Sequence, residues 1–308
     1  MTRALRTSCM PDKKSPADRL RKSGVNPDKM SEYRFLPLRT VRPGGDSGDR
    51  YDRWLARLDE ELSDPGTDRN EFCRRVLEEI YFPGGLNAGL GTDGRATLPL
   101  TTRILLDQLD PRNVTLEPEY YRETDLERYY RVKPLIWLWE MFDKSVLGEN
   151  VHLGVKFRRI LARRIFARCG RNFKAFHFVK LSFGYGLEVG DDVVVHRHVL
   201  LDDRGGIRIG NRASISDFVN VYSHSHHIRD ARDVRTPRTV IGNGVRIAYH
   251  ATVLAGTTLA PDSMVGAGAL VTRDTEPGTV HVGVPARPAT RKPEGERRPP
   301  TRDPLAEE

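Results

Sequence analysis

"VIGNGVRIAYHATVLAGTTLAPDSMVGAGALV", residues 240–271, carries an aliphatic residue at every sixth position: Ile241, Ile247, Val253, Leu259, Val265 and Val271. A helix repeats near 3.6 residues and a doubly wound sheet has no fixed repeat, so neither gives a period of six. A β-helix does, with three hexads to each triangular coil and the aliphatic residue stacked inward on its counterpart one coil away. The same period runs upstream through Val189, Val195 and Leu201, then Ile209, Ile215 and Val221. The fourth residue after most of these is small or β-branched: Val193, Val199, Ala213, Val219, Ser225, Val245, Ala251, Thr257, Ser263, Ala269 and Thr275. No hexad is stable alone, because each depends on its neighbours in the stack.

The period breaks twice. Leu201 to Ile209 is six plus two residues, and Val221 to Ile241 is six plus fourteen. A stacked coil accepts an insertion only at a corner, so about residues 226–239 are expected to project as a loop, and function concentrates on loops held by a rigid scaffold. His224, His226 and His227, three of the chain's nine histidines, lie at its root.

The rest of the chain has a different texture. Residues 1–45 and 288–308 are rich in charge and proline without sustained periodicity, and read as disordered tails. Residues 46–170 read as helical. "DRYDRWLARLDEEL" sets Tyr51, Trp54, Leu55, Leu58 and Leu62 on one face, "RNEFCRRVLEEIYF" repeats the habit, and "KPLIWLWEMFDKSVL" is apolar nearly all round, as a buried helix is. "KFRRILARRIFARCG" opposes Phe157, Ile160, Leu161 and Ile165 to a row of arginines. That pattern suits a helix capping the open end of the β-helix with its arginines in solvent. Residues 171–287 then form the β-helix.

Composition limits the function classes. The three cysteines (Cys9, Cys73, Cys169) have no CxxC spacing, which disfavours a disulfide framework or a zinc knuckle. No stretch is long and apolar enough for a transmembrane segment, and the N-terminus lacks an apolar signal core, so a cytoplasmic protein is expected. The net charge is +8, and residues 150–187 hold nine Lys or Arg and no acid. That run is either a solvated helix face or an attraction for anions; nucleic acid is not expected, while peripheral membrane contact stays open.

Residues 180–290 resemble the hexapeptide-repeat acyltransferases, most closely the maltose, galactoside and nodulation-type sugar O-acetyltransferases. "FGYGLEVGDDVVVHRHVLLDD" is similar to that family's opening coil, "IGNRASISDFVNVYSHSHH" to the coil ending in its active-site histidine, and "VTRDTEPGTVHVGVPARP" to its closing segment. The resemblance implies a mainly β fold, a left-handed parallel β-helix preceded by a largely α-helical region. It implies acetyl-CoA or another acyl-CoA as donor, no metal, a homotrimer, and a small-molecule or glycan hydroxyl as acceptor. Matched to "VYSHSH", the general base is His226, and histidine's ordinary pKa near 6.5 suits that work at neutral pH. Asp202, with Asp203 beside it, matches the acceptor-site aspartate. Ala267 and Tyr249 fall where the pantetheine arm lies, and Thr272, Arg273 and Arg287 fall near the nucleotide end. Val195 and Arg197 stand where relatives carry asparagines lining the acceptor site.

Two other function classes fit parts of this pattern. γ-Carbonic anhydrases use the same β-helix with three zinc-bound histidines, but their His-x4-His pair is missing here, since Ala255 stands five residues after His250. A non-catalytic β-helix scaffold would bind partners through the helical region and need none of the histidines. The sequence names neither the acceptor nor the acyl chain, and an acyl carrier protein could replace coenzyme A.

Overall fold

The hexads stack as the period requires. In the computed structural model, which describes residues 38–39, 42–84, 97–292 and 305, three parallel sheets form the faces of a left-handed β-helix. The first coil is β1 (Arg168–Cys169), β2 (Lys174–Ala175) and β3 (Lys180–Leu181), and the second is β4 (Leu187–Val189), β5 (Val194–Val195) and β6 (Leu200–Asp202). The third is β7 (Ile207–Ile209), β8 (Ser214–Ile215) and β9 (Asn220–Tyr222). After a hairpin of β10 (Ser225–His226) and β11 (Val234–Arg235), the stack resumes with β12 (Thr239–Ile241), β13 (Arg246–Ile247) and β14 (Thr252–Val253). β15 (Thr258–Leu259), β16 (Met264–Val265) and β17 (Leu270–Val271) close the fifth coil; β18 (Thr279–Val282) and antiparallel β19 (Arg287–Arg291) extend the second face.

Register confirms the inward stack: Val189 pairs with Ile209 and Ile209 with Ile241, while Leu201 pairs with Val221 and Val221 with Val253. All twelve of these hexad residues are at most 1 % exposed. Eight corner residues other than glycine take a positive φ, among them Phe178, His198, Phe218 and His250, whose rings stack coil on coil at 4.8–5.0 Å.

The six-residue steps also run upstream of Val189, through Cys169, Ala175 and Leu181, so that only β1 lies before residue 171. Two expectations need correction. Ser225 is not a stacked position but an exposed residue of the hairpin. At the other end β19 carries the strand pairing to Arg291, past the boundary read after residue 287.

Five helices precede the stack among the described residues: α1 (Ser47–Ser63), α2 (Arg69–Tyr81), α3 (Leu100–Asp107), α4 (Leu126–Lys144) and α5 (Val151–Ile165). Asp68, Asp125 and Asn150 accept from backbone N–H groups of the first turns of α2, α4 and α5, which ends each helix cleanly. Ten residues of α4 are buried, as its all-round apolar sequence requires. Thr40–Glu308 form one compact unit with a single hydrophobic core; of the other unit, Met1–Arg39, only residues 38–39 are described.

α5 is the cap. Phe157, Ile160, Leu161 and Ile165 are buried, but the stripe does not all face the coil: Phe157 stacks between Trp54 and Phe142, while Gly184, at φ +73°, lets Ile165 and Ile136 close on the next turn, where a Cβ would lie 2.5 Å from Ile165. The arginine row, however, is only partly left in solvent: Arg163 and Arg168 are exposed, the others are not. Arg158 and Arg159 are buried, and Arg159 Nε donates to the Phe173 carbonyl at 2.7 Å. Arg158 is paired with buried Asp143, whose other oxygen accepts from Phe178 N at 2.7 Å, and Arg164 binds the carbonyls of Leu62 and Asp59. No coil lies below β2 to use its carbonyls, so guanidinium donors take that place. Much of the basic run is thus internal wiring.

Candidate active site

The hairpin root is fastened to the second coil. Ser223, fully buried, donates from Oγ to the Asp202 carbonyl (2.6 Å) and accepts from Gly205 N (2.8 Å). Gly205 must be glycine for this contact, since a Cβ would come within 2.4 Å of the Ser223 and Thr236 carbonyls. The three histidines leave from that anchor with different surroundings. His224 is half-buried, with its Nδ1 out of solvent and 2.6 Å from Asp202 Oδ2, a close contact that is not aligned as a hydrogen bond. His226 is exposed, and its Nδ1 lies 2.5 Å from the Ala231 carbonyl across the hairpin. A carbonyl only accepts, so Nδ1 holds the proton and Nε2 keeps its lone pair. His227 serves the turn, its Nδ1 accepting from Arg229 N at 3.3 Å. The His224 and His226 rings meet edge to face at 5.1 Å.

A cavity of about 310 Å³ opens beside His224 and His226. The β-helix supplies one wall, with Asp202, Arg204 and Tyr222; the helical region supplies the other, with Glu117, Tyr121 and Tyr129. Arg204 is buried against Glu123, its guanidinium 4.1 Å over the Tyr121 ring. Burial alone would raise the Glu123 carboxyl; the Arg204 hydrogen bond and charge carry it below its ordinary value. Burial pushes the Tyr129 phenol far up, so it stays neutral.

The sequence-derived residues divide by place. His226 and Asp202 meet at this cavity. Asp203 does not; it is buried, and accepts backbone N–H bonds from Phe183 (2.7 Å), Gly184 (3.0 Å) and Gly186 (2.8 Å). Burial pushes it up to about 6 against those three donors. It is a fastener of the turn between the first two coils, not an acceptor ligand. We expect Asp203→Ala to cost about 2–4 kcal/mol, since it strips acceptors from three inner N–H groups. A denaturant melt checks this, and an unchanged midpoint contradicts it.

Thr272 and Arg273 follow β17 on the same edge of the third face as His224, two coils further on. Tyr249, Ala267 and Arg287 lie toward the opposite edge, around the corner between the second and third faces. Tyr249 is exposed there, its carbonyl accepting from Gly268 N at 3.0 Å. Val195 is core and Arg197 pairs with Asp217 at 3.1 Å, so neither touches the cavity. Arg204, Tyr121 and Tyr129 escaped sequence reading because only the folded chain brings them to the histidines. Among the described residues no three His, Cys, Asp or Glu side chains group to hold a metal, and no helix is long and apolar enough to cross a membrane.

No protein-family model matches the chain. Galactoside O-acetyltransferase of Escherichia coli K12 is 30 % identical over 137 residues, 43 % of this chain and 68 % of the relative. The Escherichia coli dTDP-4-amino-4,6-dideoxy-D-glucose acyltransferase is 28 % identical over 169 residues, 51 % of this chain and 86 % of the relative. Among solved structures, a maltose O-acetyltransferase from Clostridium difficile 630 aligns over 56 % of this chain and 92 % of its own, with 24 % identity and a TM-score of 0.50, which speaks for the fold. A histidine-bearing insertion on a stacked β-helix defines a class, and the likeness to the galactoside enzyme places this chain in it. The chain belongs to the hexapeptide-repeat acetyltransferases.

Proposed function

We propose that the protein moves an acetyl or other acyl group from acyl-CoA to a hydroxyl of a sugar-like acceptor, with His226 as general base. The observation that carries this reading is the Ala231 carbonyl at His226 Nδ1, which fixes the tautomer with Nε2 free. Nε2 takes the acceptor's hydroxyl proton as the oxygen attacks the acyl carbon. A bound acyl-CoA supplies the thioester, whose C–S bond breaks as the new C–O bond is made. The imidazolium then returns its proton to the leaving thiolate, and His226 is neutral again. Asp202 acts through His224, holding that ring edge-on to His226.

The edge near Tyr249 suits a coenzyme A arm. Ala267 is exposed, a Cβ at Gly268 would meet nothing within 4 Å, and Arg287 at this edge makes no ion pair among the described residues, nor does Arg273 at the His224 edge. Guanidinium groups without a carboxylate partner fit phosphates. Tyr249, Ala267 and Arg287 sit across the third face from His226, so one β-helix does not gather the whole set at one edge. A homotrimer with sites between neighbouring β-helices unites them, and activity should then depend on assembly. Sedimentation at assay concentration tests this; a fully active monomer contradicts it. The intact His226 setting and the cavity beside it favour an enzyme over a scaffold, and a scaffold should bind no acetyl-CoA.

A further inference from the structure

Arg159, in the buried part of the α5 row, has two partners that lie far apart in sequence. Its Nε donates to the Phe173 carbonyl at the edge of the first coil, and its Nη2 donates to the carbonyl of Leu305, 146 positions away, at 2.8 Å. Leu305 is half-buried, whereas the described chain before it stops at Lys292, just past β19 at the far end of the stack. β19 and β2 are six strand spacings apart on the second face, about 29 Å at about 4.8 Å each. Thirteen peptide steps lead from Lys292 to Leu305 and reach about 43 Å when extended, so the C-terminal segment is long enough to return to the cap.

Beside Arg159 a groove of about 200 Å³ lies between α1 and α5. Leu55, Ala56 and Ile160 give it apolar surface, and its charged lining is Lys156, Arg159 and Arg163 with Asp52 and Asp59. Asp52 is engaged by Lys156 at 2.6 Å and Asp59 by Arg164 at 2.7 Å, so the groove keeps a net positive charge. The sequence around Leu305 is its complement. "DPLAEE", residues 303–308, has one leucine, three acids and no base, in a chain whose net charge is +8.

We infer that the groove between α1 and α5 is the docking site of the chain's own residues 303–308, with Leu305 seated at Arg159 and the acids of the segment matched to the arginines of α5. This surface is separate from the cavity at His226, and the inference does not rest on the acyl-transfer reading. One guanidinium then ties together the first coil, the cap and the C-terminal segment. The end of a stack has a neighbour on one side only, and the tie holds it where it is weakest.

Hydrogen exchange on the full chain, read by mass spectrometry, tests this. Leu305→Asp should speed exchange in residues 47–63 and 151–165 about tenfold, the loss expected when the apolar surface of a half-buried leucine gives way to a charge. Glu307→Lys with Glu308→Lys should speed it about threefold, and so should Arg163→Glu, which alters an exposed side chain. The three charge changes together should return exchange close to that of the wild type. High salt should remove the effect of the charge changes and leave that of Leu305→Asp. Exchange in residues 240–271 should be the same in every variant, which separates loss of docking from loss of the fold. The inference is overturned if residues 151–165 exchange in Leu305→Asp as they do in the wild type, or if the reversed charges fail to compensate one another. Protection that falls on tenfold dilution also overturns it, since the groove would then belong to another copy's segment.

Discussion

Replacing His226 by alanine is expected to slow acyl transfer by about 10²- to 10⁴-fold, the usual loss when a general base is removed. Coenzyme A affinity and melting temperature should barely change, because the ring is exposed and its one hydrogen bond is to the Ala231 carbonyl within the same hairpin. His224→Ala should fall between the two, slower than wild type and faster than His226→Ala. It removes the ring beside Asp202 and leaves a buried carboxylate without its neighbour, while the base itself stays. His227→Ala, which loses only a turn contact, should cost little. A His224→Ala protein that is dead while His226→Ala turns over normally would make the Asp202–His224 pair the catalytic one.

The second large effect is on stability. Arg158→Met should cost about 3–5 kcal/mol, because it leaves Asp143 charged and unpaired in a buried site. For a chain of this size that lowers the melting temperature by on the order of 10 °C. Adding Asp143→Asn should recover part of the loss: it removes the charge and keeps an oxygen for the Phe178 N–H. Recovery should be partial, since Arg158 also donates to the Gly148 carbonyl, which then goes without. If Arg158→Met melts like the wild type, the cap does not hold the first coil in the way its hydrogen bonds suggest.

The fold was legible in the sequence wherever one residue type answers one geometric demand. An inward hexad position excludes water on every coil, so it must be aliphatic, and Val189 through Val271 obey. The hexad register of the first coil is not legible, because Cys169 and Ala175 fill the same inward steps with residues that do not announce a core. The arginines of α5 were misread for a related reason. Arginine is seldom buried without a partner, so the row reads as solvated until the carbonyls of the first coil and Asp143 are in place to receive it. His226 was legible from its motif and its place at the insertion root, whereas the Ala231 carbonyl that sets its tautomer was not. Nor was the cavity, since Tyr129 of its helical wall and Arg204 of its β-helix wall are 75 positions apart and meet only through tertiary packing.

The most direct test is acyl transfer itself, followed with acetyl-labelled acetyl-CoA and a panel of neutral hydroxylated acceptors. The account predicts that wild-type protein moves the label into a base-labile ester on an acceptor, that coenzyme A thiol appears in equal amount, and that His226→Ala does neither at a measurable rate. Label that stays on coenzyme A across the panel, or that moves as fast with His226→Ala as with the wild type, would contradict it.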